Sequence, residues 1–203
     1  LTLRDINLAG HYPVSWYELG NAHAGKIMDG QWWRLITALT LHADWQHLLG
    51  NLLIGGVFIS RLCRDLRSGP GWLLLLAAGT FGNLINAWLQ NPAHRAVGAS
   101  TAVFGAVGIL AAISMVRYRQ NLRPRRRWTL PVAAALGLLA MLGVGGENTD
   151  LGAHLFGFLL GLPLGFGAEL AIERYGRPHW KVNTLMAMTS IAIVIGAWWA
   201  ALS

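Results

Sequence analysis

The sequence predicts an all-α polytopic membrane protein, and three observations carry that prediction. Of its 203 residues 54% are hydrophobic and only 12% charged, outside the balance of soluble domains. Apolar stretches near the roughly 20 residues that cross a bilayer as a helix occur six times. Basic residues collect in alternate connections between them, as the positive-inside rule requires of cytoplasmic loops. The six stretches use most of the chain, so no separate soluble domain is expected.

Residues 1–46 are mixed rather than continuously apolar, with Pro13, several glycines and the aromatics Trp16, Tyr17, Trp32, Trp33 and Trp45. Tryptophan and tyrosine gather at headgroup level, so this segment is expected at the membrane interface. Arg34 follows Trp32 and Trp33 directly. A cation there can tie the segment to itself through ring faces and carbonyls.

The first expected span, His47 to Leu62, opens on His42-x4-His47-x3-Asn51. His47 and Asn51 are four apart and share one helix face, where both can donate hydrogen bonds toward one point. Plainer roles fit as well, polar glue between helices for Asn51 and a wetted interfacial imidazole for His42 and His47. Zinc ligation is disfavoured, since a spacing of five is awkward on one helix and no His-Glu-x-x-His occurs. The second span, Gly71 to Gln90, carries Asn83 and Asn86, read as interhelical hydrogen-bonding residues.

The third span, Gly98 to Arg117, begins at Val97-Gly98-Ala99-Ser100-Thr101-Ala102-Val103-Phe104-Gly105, and no charge follows Ser100 before Arg117. Gly98 permits a backbone conformation that a side chain would resist. Ser100, with Gly98, Gly105 and Gly108, fits a small-residue packing face as well as it fits a reactive hydroxyl. The fourth span, Trp128 to Gly145, is short and contains Pro131, Gly137 and Gly143, a composition that bends easily. On the fifth, Leu151 to Ile172, His154, Gly157, Gly161 and Gly165 form one stripe. A glycine stripe lets a neighbouring backbone approach. If that neighbour presents Ser100, Phe104, Gly108 and Ala111, the imidazole reaches the hydroxyl. A histidine inside a membrane is itself a site hypothesis. The last span, Thr184 to Ala201, has no ionisable group and reads as an anchor or packing helix.

A net charge of +7 does not imply nucleic acid, because the cations are divided among loops rather than gathered on one face. Arg61, Arg64 and Arg67 follow the first span. Arg117, Arg119, Arg123, Arg125, Arg126 and Arg127 follow the third, and Arg174, Arg177 and Lys181 the fifth. The other connections hold Arg95 alone, or Glu147 and Asp150. Ser100 and His154 therefore both start helices entered from the extracytoplasmic side. Cys63 is the only cysteine, which excludes an internal disulfide and a thiolate metal site.

A serine hydroxyl becomes a nucleophile when a neutral histidine takes its proton. No carboxylate shares the depth of His154, so the arrangement is a dyad. Attack on an amide carbonyl creates an oxyanion that needs preorganised donors, each worth about 3 to 4 kcal/mol when removed. Backbone N–H groups at the start of the Ser100 helix, with His47 and Asn51, are the candidates.

Trp33-Arg34, His42-x4-His47-x3-Asn51, Gly98-Ala99-Ser100-Thr101 and Ala153-His154-Leu155-Phe156-Gly157, in this order along 33–165, resemble the rhomboid intramembrane serine proteases. The resemblance implies a rhomboid-like helical bundle in which Ser100 is the nucleophile, His154 the general base, and His47 and Asn51 assist the oxyanion. It implies hydrolysis of peptide bonds in or beside transmembrane segments of substrate proteins, with no cofactor, no metal and no nucleic-acid partner. On this reading residues 1–46 are an interfacial loop segment with the Trp-Arg motif and 47–173 the catalytic core. Residues 174–203 add a cytoplasmic loop and an extra C-terminal helix. The expected location is a bacterial inner membrane, with the site toward the extracytoplasmic side. Three departures stand out. Thr101 replaces a usual glycine and is expected to crowd the oxyanion region; Cys63 stands where an acidic residue is common, with Asp65 nearby; and the first core helix is expected to be missing. A non-catalytic relative that binds membrane segments is the first alternative, and a small transporter the second. Metallo and aspartyl intramembrane proteases fit poorly, because their His-Glu motif and paired membrane aspartates are absent.

Overall fold

The computed structural model describes residues 6–8, 12–117, 137 and 150–203. Three short helices, α1 (Trp16–Gly20), α2 (Ala24–Met28) and α3 (Arg34–Thr37), build the N-terminal segment. Five long helices follow: α4 (Trp45–Leu66), α5 (Ser68–Leu89), α6 (Ser100–Arg117), α7 (Leu151–Tyr175) and α8 (Trp180–Leu202). Among the described residues the strands are two short antiparallel ribbons. β1 (Ile6–Leu8) pairs with β2 (Tyr12–Val14), and β3 (Ala22–His23) with β4 (Arg95–Ala96).

Among the described residues four helices, α5 to α8, are long and apolar enough to cross a membrane, against the six spans expected of the whole chain. The expected first span forms as α4, but polar residues at both ends lower its mean hydropathy. His47 and Asn51 stand at one end, Arg61, Arg64 and Asp65 at the other. The expected span Trp128 to Gly145, apart from Gly137, lies outside the described residues, as do Glu147 and the arginines from Arg119 to Arg127. Helix starts follow capping chemistry: the Asp44 carboxylate accepts from His47 N–H at 2.7 Å to open α4, and that of Asp150 accepts from Ala153 N–H at 3.0 Å to open α7. Arg67 alone, in a left-handed conformation (φ 73°), joins α4 to α5 and turns the chain back.

Helix α6 is the centre of the bundle, with 14 of its 18 residues buried by α4, α5 and α7. Its closest partner is α7, and the reason is the glycine stripe expected from the sequence. A Cβ at Gly157, Gly161 or Gly165 would collide with the carbonyl oxygens of Thr101, Gly105 and Ile109, while one at Gly108 would strike that of Phe158. Two backbones in contact gain close packing that lipid cannot offer. Helix α8 lies against α5 and the N-terminal segment, where the Trp198 indole donates to Thr40 Oγ1 at 3.0 Å and meets Trp16 edge-on at 5.2 Å. At its other end Asn183 Oδ1 accepts from Gly69 N–H at 2.8 Å. It is a packing helix of the bundle.

The end of the bundle remote from Ser100 is tied by charge. Arg117 on α6 donates two hydrogen bonds to Glu169 on α7, at 2.6 and 2.9 Å, and lies 3.1 Å from Asp65 on α4, which also pairs with Arg61. The Glu169 side chain is only 5% exposed, so its charge depends on that partner.

Candidate active site

Ser100 is the first residue of α6 and is buried. The connection leading to it is strapped to the N-terminal segment: β4 pairs with β3, His94 C=O accepts from Ala24 N–H at 2.9 Å, and Gly98 N–H donates to Ala38 C=O at 2.9 Å. Gly98 has φ 136°, a region that L side chains avoid, as its sequence position suggested. Its bare α-carbon also makes room. A Cβ there would lie 2.7 Å from His47 Nε2 and 3.4 Å from Ser100 Oγ, so imidazole and hydroxyl flank the same gap.

Asn51, buried one turn below His47, donates through Nδ2 to His47 C=O at 3.1 Å. An amide carries two N–H donors, so one remains for another acceptor. His42, 9% exposed, meets the His47 ring nearly edge-on, centroids 5.2 Å apart. Burial, with the neighbouring His47 adding to it, pushes the His42 imidazole down to about 4.

His154 is the fourth residue of α7 and 4% exposed. Its ring stacks on Phe104, with centroids 4.4 Å apart and planes 18° from parallel. Phe104 is one turn beyond Ser100 on the same side of α6, so the imidazole rests on the face of α6 that carries the hydroxyl. The common level of Ser100 and His154 is thus accompanied by lateral proximity of their helices. No hydrogen bond among the described residues links the two, and His154 Nδ1 is buried without a partner. Catalytic hydrogen bonds are commonly long before substrate binds and tighten in the Michaelis complex.

The remaining sequence candidates divide. Arg34 ties the N-terminal segment to itself through carbonyls, donating to Asn21 C=O at 3.0 Å and Glu18 C=O at 2.9 Å, and to Gln31 Oε1 at 2.6 Å. Asn86 joins α5 to the start of α7 through Asp150 at 2.6 Å, whereas Asn83 donates to Leu35 C=O of α3 at 3.0 Å, a segment rather than a second long helix. The Thr101 methyl packs toward Gly82 and Gly157, on α5 and α7. Cys63 packs against Gly71, and Asp65, two residues on, takes the Arg117 pair. Phe104 as the platform for the imidazole was missed; its spacing of four from Ser100 was the available signal. A cavity of about 850 Å³ opens between α4 and α8, apolar for the most part, and reaches His42, Asn51 and Ala99 beside the site.

The family model described as Rhomboid domain matches residues 29–169. The chain is 31% identical over 162 residues to YdcA of Bacillus subtilis (strain 168), covering 79% of each protein. It is 34% identical over 151 residues to Rhomboid-like protease 3 of Toxoplasma gondii, covering 72% of this chain and 55% of that one. To Rhomboid protease GluP of Bacillus subtilis it is 31% identical over 196 residues, 96% of this chain but 36% of the relative. Because that family model covers well over half of the chain and YdcA is 31% identical across 79% of each protein, the chain belongs to the rhomboid family.

Proposed function

We propose that this protein is an intramembrane serine endopeptidase that uses Ser100 and His154 as a dyad on transmembrane segments of other membrane proteins. The observation that carries the reading is the backbone contact of α6 with α7, which sets the His154 ring on Phe104, one turn from Ser100. Neutral His154 takes the Ser100 proton as Oγ attacks the substrate carbonyl carbon. The oxyanion is met by His47, by the free N–H of Asn51 and by the unpaired N–H groups of the first turn of α6. His154 then returns the proton to the leaving amine, and water cleaves the acyl-enzyme by the same steps in reverse roles. His154 Nδ1, buried without an acceptor among the described residues, suits a dyad rather than a triad.

The division of basic residues orients the site toward the extracytoplasmic side of a bacterial inner membrane, with 47–173 as the catalytic core. A relative that binds membrane segments without cutting them is favoured by one observation, the absence of a hydrogen bond between Ser100 and His154. A fluorophosphonate probe separates the readings. Labelling of wild type but not of Ser100→Ala supports the protease. An unlabelled wild type, with bound transmembrane peptide left intact, supports the binder.

A further inference from the structure

Just above His154 lies a cluster that the dyad does not use. The Asp150 carboxylate accepts from Asn86 Nδ2 of α5 at 2.6 Å and pairs with His94 Nε2 of the connection to Ser100 at 2.7 Å, while its other oxygen caps α7 through Ala153 N–H at 3.0 Å. Its backbone C=O accepts from His154 N–H at 3.2 Å. The Asn86 amide is wedged so closely over Gly152 that a Cβ there would strike Oδ1. One largely buried carboxylate, 11% exposed, thus joins the end of α5, the segment that delivers Ser100 and the first turn of the helix that carries His154.

We infer that Asp150 is a positioning residue that sets the spacing of Ser100 and His154 from outside the dyad. His94 is tied on its other side to α2 through Ala24 N–H, so it cannot follow α7 if the carboxylate is lost. His154 sits one turn from Asp150 on the same face. Loss of the carboxylate frees the start of α7 to move against α6 at the level of the dyad. Charge-assisted hydrogen bonds of this length resist such movement better than neutral ones. The inference rests on the protease reading above and adds the residue that holds its geometry.

The test uses the full chain in proteoliposomes with a transmembrane peptide substrate, reading kcat, KM and the rate of fluorophosphonate labelling. Asp150→Ala is expected to lower kcat and labelling by about 100-fold, the effect of roughly 1 Å of misplacement, with KM within about twofold. Should Asp150→Ala fail to fold, His94→Ala and His94→Gln leave the α7 cap intact. His94→Ala is expected to lose kcat, and His94→Gln, which restores a donor to the carboxylate, to regain most of it. Wild-type kcat in folded Asp150→Ala, or equal loss in both His94 variants, overturns the inference while labelled wild type leaves the protease reading standing. A wild type that neither cleaves nor labels overturns the protease reading, and with it any role in aligning a dyad.

Discussion

Gly157→Ala tests most sharply how the fold aligns the chemistry. The added methyl group would collide with the Thr101 carbonyl oxygen, which belongs to helical backbone and cannot swing aside. The gap between α6 and α7 must therefore widen, by on the order of 1 Å before carbon and oxygen reach ordinary contact. Overpacking of this kind costs about 1–3 kcal/mol. Gly157 is three residues from His154, so the base moves with the helix, and a misplacement of about 1 Å lowers turnover by about 100-fold. Gly167→Ala is the internal control, because nothing lies within 4 Å of a Cβ at that position on the same helix. It should be neutral or gain about 0.5–1 kcal/mol. The assay is kcat on a transmembrane substrate in proteoliposomes alongside thermal unfolding in detergent. Equal behaviour of the two variants would refute the backbone-contact argument.

Three other outcomes are expected. Arg117→Ala strands the buried Glu169 carboxylate and removes the Asp65 partner, so unfolding should become easier by about 3 kcal/mol; an unchanged melting temperature would contradict this. His42 binds its proton less readily folded, at about 4, than unfolded, at the ordinary 6.5. Its contribution is therefore complete above pH 6.5 and lost as pH falls toward 4, at up to about 1.4 kcal/mol per pH unit. His42→Phe should flatten the melting curve's pH dependence within that window. Gly98→Ala meets both a backbone cost of about 1–2 kcal/mol and the His47 ring, so kcat should fall; wild-type turnover would mean that this gap is not used.

Much of the fold was legible because membrane helices announce themselves by length and apolarity. Helices α5 to α8 fall near the expected positions for that reason. Helix α4 formed as expected yet reads as less apolar, because the polar His47 and Asn51 stand at one end while Asp65 serves an ion pair at the other. The glycine stripe of α7 was legible through its spacing, since only glycine lets one backbone rest on another's carbonyls. The placement of α8 was not, because the contacts that decide it, Trp198 with Thr40 and Asn183 with Gly69, join residues more than 100 positions apart. In the site, depth could be inferred from the loops that flank each helix, but not the angle at which each side chain leaves it. That is why Phe104 stacking and the Asp150 cluster emerged only in three dimensions.

The central claim is that Ser100 and His154 act as one unit. It is tested most directly by cleavage of a transmembrane substrate by wild type, Ser100→Ala, His154→Ala and the double variant in proteoliposomes. Residues that act together lose function together, so each single variant should be as inactive as the double one. Cleavage that survives Ser100→Ala, or losses that multiply in the double variant, would contradict the account.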